Sequence, residues 1–342
     1  MTDKKARLLE VARRAGVGIA TVDRVMNERG GVSQKTMDKV LRAAKEVNLK
    51  RILPTSHQRI IRIEVILARP ELPLIERMIT EFRLLLARTQ HYGRPLIIQR
   101  RVLKDESAST IANALRDTKC DSVIVYSQEH ELVDQAIQEL MARGVPVVTL
   151  ISDLPASRRL AYAGTDHVQA GRTAAYFMAS MVKETGPVVV LCNHLGFQCH
   201  LERLEGFKDG LAQYGPHLHV AEIVEGHDDR VLSRTRLCLA FRQHHETLGV
   251  YNVGAANLAV IGAIHQRILE KQPVFIGHEL TANTRVMLSE GDMAMAIDQN
   301  PEQQVLYAVD VLMHHFGFEG MEFMETPYRS TVPFTLYGPA NI

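Results

Sequence analysis

The chain has 342 residues, 46% hydrophobic and 23% charged, with 22 Gly, 13 Pro and no Trp. This profile excludes a disordered or collagen-like chain and predicts two or three domains whose cores need neither disulfides nor metal. The net charge of +1 hides an asymmetry: residues 1–62 hold 15 Lys+Arg against 6 Asp+Glu, and residues 63–342 hold 25 against 33. A small basic module before a larger acidic one predicts that the first piece meets a polyanion while the second does something else. The four cysteines, Cys120, Cys192, Cys199 and Cys238, form no CxxC pair, which points to a reducing, cytoplasmic compartment. The N-terminus is charged where a signal peptide needs an apolar core, and no run of about 18 apolar residues occurs, so neither secretion nor membrane spanning is expected.

In chain order, Leu8, Val11, Ala12 and Ala15 fall at i, i+3, i+4 and i+7, the spacing of one buried helical stripe. Gly16 ends that helix. A second helix begins near Gly18 and turns Val22, Val25 and Met26 inward, so the pair reads as a helix-turn-helix. Ser33 is placed to cap a third helix with Val40, Leu41, Ala44 and Val47 on its inner face. The expected unit is a compact three-helix head over residues 1–50, then a linker over 51–61.

From Arg62 onward short apolar runs alternate with amphipathic stretches. Strands are expected at Ile63–Ala68, Leu96–Val102, Ser122–Ser127, Val145–Ile151, Val188–Cys192, Val220–Val224, Leu248–Tyr251, Val274–Ile276 and Met293–Ile297, with helices between most of them. That alternation predicts parallel sheets, and nine strands are too many for one compact sheet, so two α/β lobes are expected, with Gly186-Pro187 as the break.

The run Leu9-Glu10-Val11-Ala12-Arg13-Arg14-Ala15-Gly16-Val17, followed by Thr21-Val22-Asp23-Arg24-Val25-Met26-Asn27 and Val32-Ser33-Gln34-Lys35-Thr36, resembles the DNA-binding head of the lactose-repressor (LacI/GalR) family. The resemblance implies that the second helix lies in the major groove of duplex DNA. Ile19, Ala20 and Arg24 would then face base edges, while Thr21 and Asn27 hold phosphates. Arg24 suits a bidentate bond to guanine, and Ile19 and Ala20 suit thymine methyls. Asp23 departs from the family's usual serine; its carboxylate would either repel phosphate or accept from cytosine. The linker departs too: Pro54 interrupts the segment where the family carries a hinge helix. Either Leu53 wedges into the minor groove from another geometry, or the operator is not kinked in the family's manner.

The remainder is similar to the family's effector domain, built like the periplasmic sugar-binding proteins, whose chain crosses between lobes three times. This places one lobe at about 62–185 and 299–325 and the other at about 186–298 and 326–342, with the ligand cleft between them. By position, the resemblance assigns effector contacts to Asp166, His167, Arg203, Asn257, Glu279 and Gln299. Carboxylates that accept hydroxyl hydrogens and a guanidinium that donates in a fork suit a sugar, polyol or sugar acid. Ala256-Asn257 and His167 depart from the family's usual residues, and with no Trp the stacking ring falls to Tyr126, Phe197 or Tyr251.

The expected function is an effector-controlled, operator-binding regulator, most simply a repressor, acting as a homodimer on a palindromic operator without cofactor or metal. A binding protein with a vestigial head and a metal-dependent enzyme are the alternatives. For the enzyme, Cys192-Asn193-His194 and Cys199-His200 have metal-capable side chains at a spacing that fits no zinc pattern. No nucleophile elbow, P-loop or GxGxxG run occurs.

Overall fold

A computed structural model describes residues 2–27, 31–47, 60–91, 96–317 and 331–342. Contacts divide the chain into two compact units, residues 1–61 with 87–97 and residues 62–86 with 98–342. The expected linker falls almost entirely on 48–59, and Leu53 and Pro54 with it, outside the described residues.

The head consists of α1 (Thr2–Ala15), α2 (Ile19–Met26) and α3 (Gln34–Glu46). Helix α1 stops because Gly16 takes a left-handed φ of 66°, which lets the Val17 N–H reach back to the Ala12 carbonyl at 3.1 Å. That closure satisfies one of the helix's last carbonyls, and a residue with a Cβ is strained there. The Ser33 hydroxyl accepts from the Thr36 N–H at 3.3 Å and so caps α3. Val11, Ala12, Ala15, Val22, Val25, Met26, Met37, Val40, Ala43 and Ala44 form the core, with Leu8, Leu41 and Val47 packed against it.

The second unit carries two sheets. The first contains β1 (Ile61–Ala68), β2 (Leu96–Leu103), β3 (Ser122–Val125), β4 (Val147–Leu150) and β5 (Ala161–Ala163), in the order β2-β1-β3-β4-β5. Helices α4 (Pro73–His91), α5 (Ala108–Asp117) and α6 (Glu131–Ala142) join its strands. The second contains β6 (Gly186–Cys192), β7 (Leu218–Glu225), β8 (Gly249–Asn252), β9 (Val274–His278), β10 (Met295–Asp298) and β11 (Thr335–Tyr337), in the order β11-β10-β9-β8-β6-β7. Among the described strands of this second sheet only β11 runs antiparallel, against β10. Every residue of β6, β8 and β10 is buried, as expected of parallel strands covered on both faces. Helices α7 (His167–Met181) and α8 (Gln198–Tyr214) cover one face, and α9 (Arg230–Gln243), α10 (Asn257–Ile264) and α11 (Ala282–Glu290) the other.

Three features differ from the sequence expectation. Helix α7, expected in the first lobe, packs Ala170, Ala174, Ala175 and Met178 into the core of the second, so the first crossing comes before His167 and not at 185. Gly186-Pro187 opens β6 and is no interlobe break; a proline this close to a strand's end forgoes at most one ladder hydrogen bond. Strands β5 and β11, three residues each, are too short for a readable period.

Helix α12 (Pro301–His315) returns to the first lobe and packs against β4 and β5. The crossing segments are tied together: the Thr165 hydroxyl donates to the Val332 carbonyl at 2.7 Å, and the Val332 N–H donates to Gly164 at 2.8 Å. The Asn300 amide donates to the Pro333 carbonyl and to the Thr335 hydroxyl.

Candidate functional site

Between the lobes lies a cleft lined from the first by Leu72, Leu74, Ile75, Tyr126 and Ile151, and from the second chiefly by Cys199, His200, Arg203, Asp228, His278 and Glu279. Arg203 sits on α8, which lies so close to α7 that a Cβ on Gly171 would stand 2.1 Å from the Arg203 carbonyl oxygen, and one on Gly206 2.1 Å from that of Val168. Two glycines therefore set the spacing of the helix pair, and with it the position of Arg203 relative to His167 at the start of α7.

Arg203 is 3% exposed. Its Nε donates to His167 Nδ1 at 3.1 Å and its Nη1 to the Val253 carbonyl at 2.7 Å, while Nη2 is buried without a partner. Burial, reinforced by the Arg203 charge, holds the His167 pKa well below its ordinary value, so the ring is neutral. With Nδ1 accepting from Arg203, its proton is on Nε2 and goes to the Ile151 carbonyl, 2.7 Å away. The guanidinium is thus fixed by neutral groups, and among the described residues no direct ion pair compensates its charge.

The acidic end of the cleft is already engaged. Arg77 on α4 donates to Glu279 Oε2 at 3.1 Å and grips both oxygens of Asp298, linking the lobes. Gln299 Nε2 donates to Glu279 Oε1. Burial and the nearby Asp298 raise the Glu279 pKa to about 7, against the pull of Arg77. Asp228 follows His227 in a second consecutive left-handed conformation, φ 48° after 53°, and its Oδ1 accepts from the Ala255 N–H at 3.0 Å. Burial lifts its pKa to about 6. Two consecutive non-glycine residues at positive φ are a local strain of the kind found at binding sites.

In the head, Ile19, Ala20 and Arg24 are exposed on α2, Thr21 is half-buried, and Val22, Val25 and Met26 point inward. Asn27 Nδ2 donates to the Asp23 carboxylate at 2.6 Å and to the Asp23 carbonyl at 3.0 Å. The residue that departs from the family's serine therefore holds the amide at the helix end.

Residues 7–51 match the family described as "Bacterial regulatory proteins, lacI family", and residues 101–319 match the periplasmic binding protein domain. The chain belongs to the periplasmic binding protein domain family and carries a lacI-family head. Among curated proteins the chain is similar to the HTH-type transcriptional regulator AscG of Escherichia coli K12, 27% identical over 230 residues; the match spans 64% of this chain and 65% of AscG. Among solved structures, a glucose-galactose binding protein from Geobacillus stearothermophilus has a TM-score of 0.71 at 21% identity, over 82% of this chain and 99% of that one. A Caulobacter myo-inositol binding protein has 0.72 at 18%, over 83% and 95%. These likenesses show the two-lobed fold.

The six residues assigned by position do not all meet. Arg203, Glu279 and Gln299 line the cleft. His167 lies behind Arg203 and orients it. Asp166 is exposed and caps α7, accepting from the Gln169 N–H at 2.8 Å; it borders an outer groove with Tyr176 and Tyr214 instead. Asn257 accepts from the Asn252 amide and donates to the His278 carbonyl, which braces α10 against β9; it lines an adjoining depression with Pro73 and Thr281. Of the candidate rings, Tyr126 lines the cleft and stacks on Phe197 with centroids 5.2 Å apart, whereas Tyr251 is buried beneath Phe207.

Sequence reasoning missed Arg77, Asp228 and the cleft role of His200. Arg77 lies in an amphipathic helix with no motif around it, and Asp228 reads as ordinary loop beside the helix cap Asp229. Among the described residues no three His, Cys, Asp or Glu side chains converge as metal ligands, and no helix is long and apolar enough to cross a membrane.

Proposed function

We propose that the chain is a cytoplasmic transcriptional repressor that binds a palindromic operator as a homodimer, its affinity set by a small polar effector between the lobes. The observation that carries the effector half is Arg203: a buried guanidinium in an interlobe cleft whose Nη2 has no protein acceptor among the described residues. An unsatisfied buried charge is costly, and a ligand acceptor removes that cost. The Asp228 strain and the tied crossing segments support the same reading, since a ligand held by both lobes biases how they rotate about those crossings.

This reading takes the cleft as a binding site, in which the two carboxylates that titrate near neutrality are already engaged, Asp228 by the Ala255 N–H and Glu279 by Arg77 and Gln299. Its one thiol, Cys199, has its pKa raised to about 11 by burial, and its neutral His200 has a pKa lowered to about 3. Neither is poised to attack or to exchange a proton near neutrality.

The DNA half is tested by selecting duplexes from a random-sequence pool with the whole protein. Recovery of a palindromic site bound by two chains is expected, since one head reads only a few base pairs. Arg24→Ala should then lose about 1–3 kcal/mol of discrimination at one base pair in each half-site while keeping its affinity for random DNA. Equal losses on selected and random duplexes remove Arg24 from base reading, and failure to enrich any sequence contradicts the operator itself.

A further inference from the structure

The polar groups of the cleft divide into those the protein already uses and those it leaves open. Glu279 gives one oxygen to Arg77 and the other to Gln299. Gln299 in turn has its side-chain oxygen taken by Gln304 at 3.1 Å, and Asp298 is gripped by Arg77. The carboxylate and amide best placed to accept and share the hydroxyls of a neutral sugar are thus occupied by the protein itself.

Four groups remain open among the described residues, one of them His278 Nδ1, buried without a partner while its Nε2 meets the Tyr251 hydroxyl. Arg203 Nη2 is buried and unpartnered. His200 accepts from the Asn193 N–H at Nδ1, 3.3 Å away, so the neutral ring carries its proton on Nε2, and that N–H meets no protein acceptor among the described residues. Asp228 has Oδ1 on the Ala255 N–H and no hydrogen bond to Oδ2 among the described residues. The open set is two donors, one of them a full cation, against one carboxylate and one imidazole nitrogen of His278, with Leu72, Leu74, Ile75 and Ile151 as apolar walls beside the Tyr126 ring.

A guanidinium held in low dielectric by neutral partners calls for an anion, because a buried charge is stabilised only when paired and hydrogen-bonded. Charge-assisted bonds to a carboxylate are roughly twice as strong as those to a neutral hydroxyl. We propose that the effector is a small organic acid whose carboxylate is taken by Arg203 Nη2 and the His200 Nε2–H. The inference rests on the effector reading of the cleft and narrows it. Two oxygens match two donors. A phosphate dianion brings a third oxygen and a second charge close to Asp228 and Glu279, which oppose it.

The test is a thermal-shift comparison of matched pairs at equal concentration and ionic strength: D-gluconate with D-glucose, D-glycerate with glycerol, L-lactate with 1,2-propanediol, and glycerol 3-phosphate alongside. In at least one pair the acid should raise the melting temperature of the wild-type protein by several degrees more than its neutral partner. Arg203→Gln should weaken that acid at least about tenfold, the loss of a charge-assisted bond, and His200→Phe should weaken it less. The wild-type pairs and His200→Phe keep the test decisive if Arg203→Gln folds poorly. A neutral partner that stabilises as well as its acid in every pair overturns the carboxylate while leaving the effector reading in place. Binding of glycerol 3-phosphate above every carboxylate, or acid binding that survives both substitutions, overturns it equally. If no compound of either kind moves the melting temperature, the effector reading falls with it.

Discussion

His200 and His167 share a condition that sets how the cleft responds to acid: both are buried, neutral and close to a cation. The His200 pKa of about 3 lies below the unfolded value of about 6.5. Its contribution to stability is therefore complete above about pH 6.5 and is lost as the pH falls toward the folded pKa. Asp228 and Glu279 act in the opposite sense. Their folded pKa values, about 6 and about 7, exceed the unfolded ones, so they penalise the fold at neutrality and the penalty is relieved on acidification. The trends oppose each other, and a difference measurement separates them. Between about pH 7 and pH 5 the wild type should lose about 2 kcal/mol through His200 that His200→Gln does not lose. Parallel pH–stability curves for the two proteins contradict a neutral, buried His200. Arg203 was legible at this scale because Glu202-Arg203-Leu204-Glu205-Gly206-Phe207 carries its own context. Glu279 and Gln299 were legible as cleft residues, but their engagement was not: that depends on Arg77, 202 positions from Glu279, and no local pattern reports a partner so distant.

Helices and strands were the most legible level. The head could be read in full because hydrophobic spacing, a glycine stop and a serine cap agree with one another. The sheets could be read as strands but not assigned to lobes, since α7 follows β5 in the chain yet buries its alanine stripe against the second sheet. Its close approach to α8 is the feature on which the cleft depends most. Gly171→Ala places a methyl against backbone atoms, 2.1 Å from the Arg203 carbonyl and 2.8 Å from the Phe207 nitrogen, and backbone cannot yield as a side chain can. The helices must separate, at a cost near the upper end for overpacking, about 3 kcal/mol, and Arg203 moves away from His167. Denaturant unfolding of Gly171→Ala should show that loss in its midpoint. A wild-type midpoint means that the spacing of α7 and α8 is not fixed by glycine.

For the molecule as a whole, the claim is that occupancy of the cleft and affinity for DNA are linked. Arg77 joins the lobes at one place, the hydrogen-bonded crossings at Thr165, Asn300 and Val332 join them at another, and Arg203 offers a ligand a charge lodged between the two. Linkage requires reciprocity: a ligand that changes DNA affinity by some factor has its own affinity changed by DNA by the same factor. The most direct test is the Kd for the selected duplex, measured with and without a ligand already shown to bind the cleft, for wild type and Arg203→Ala. In wild type the ligand should change Kd by about 5- to 150-fold, the usual range of such couplings. Arg203→Ala should bind the duplex normally and show no change. A wild-type Kd that stays the same while the cleft is saturated contradicts the account.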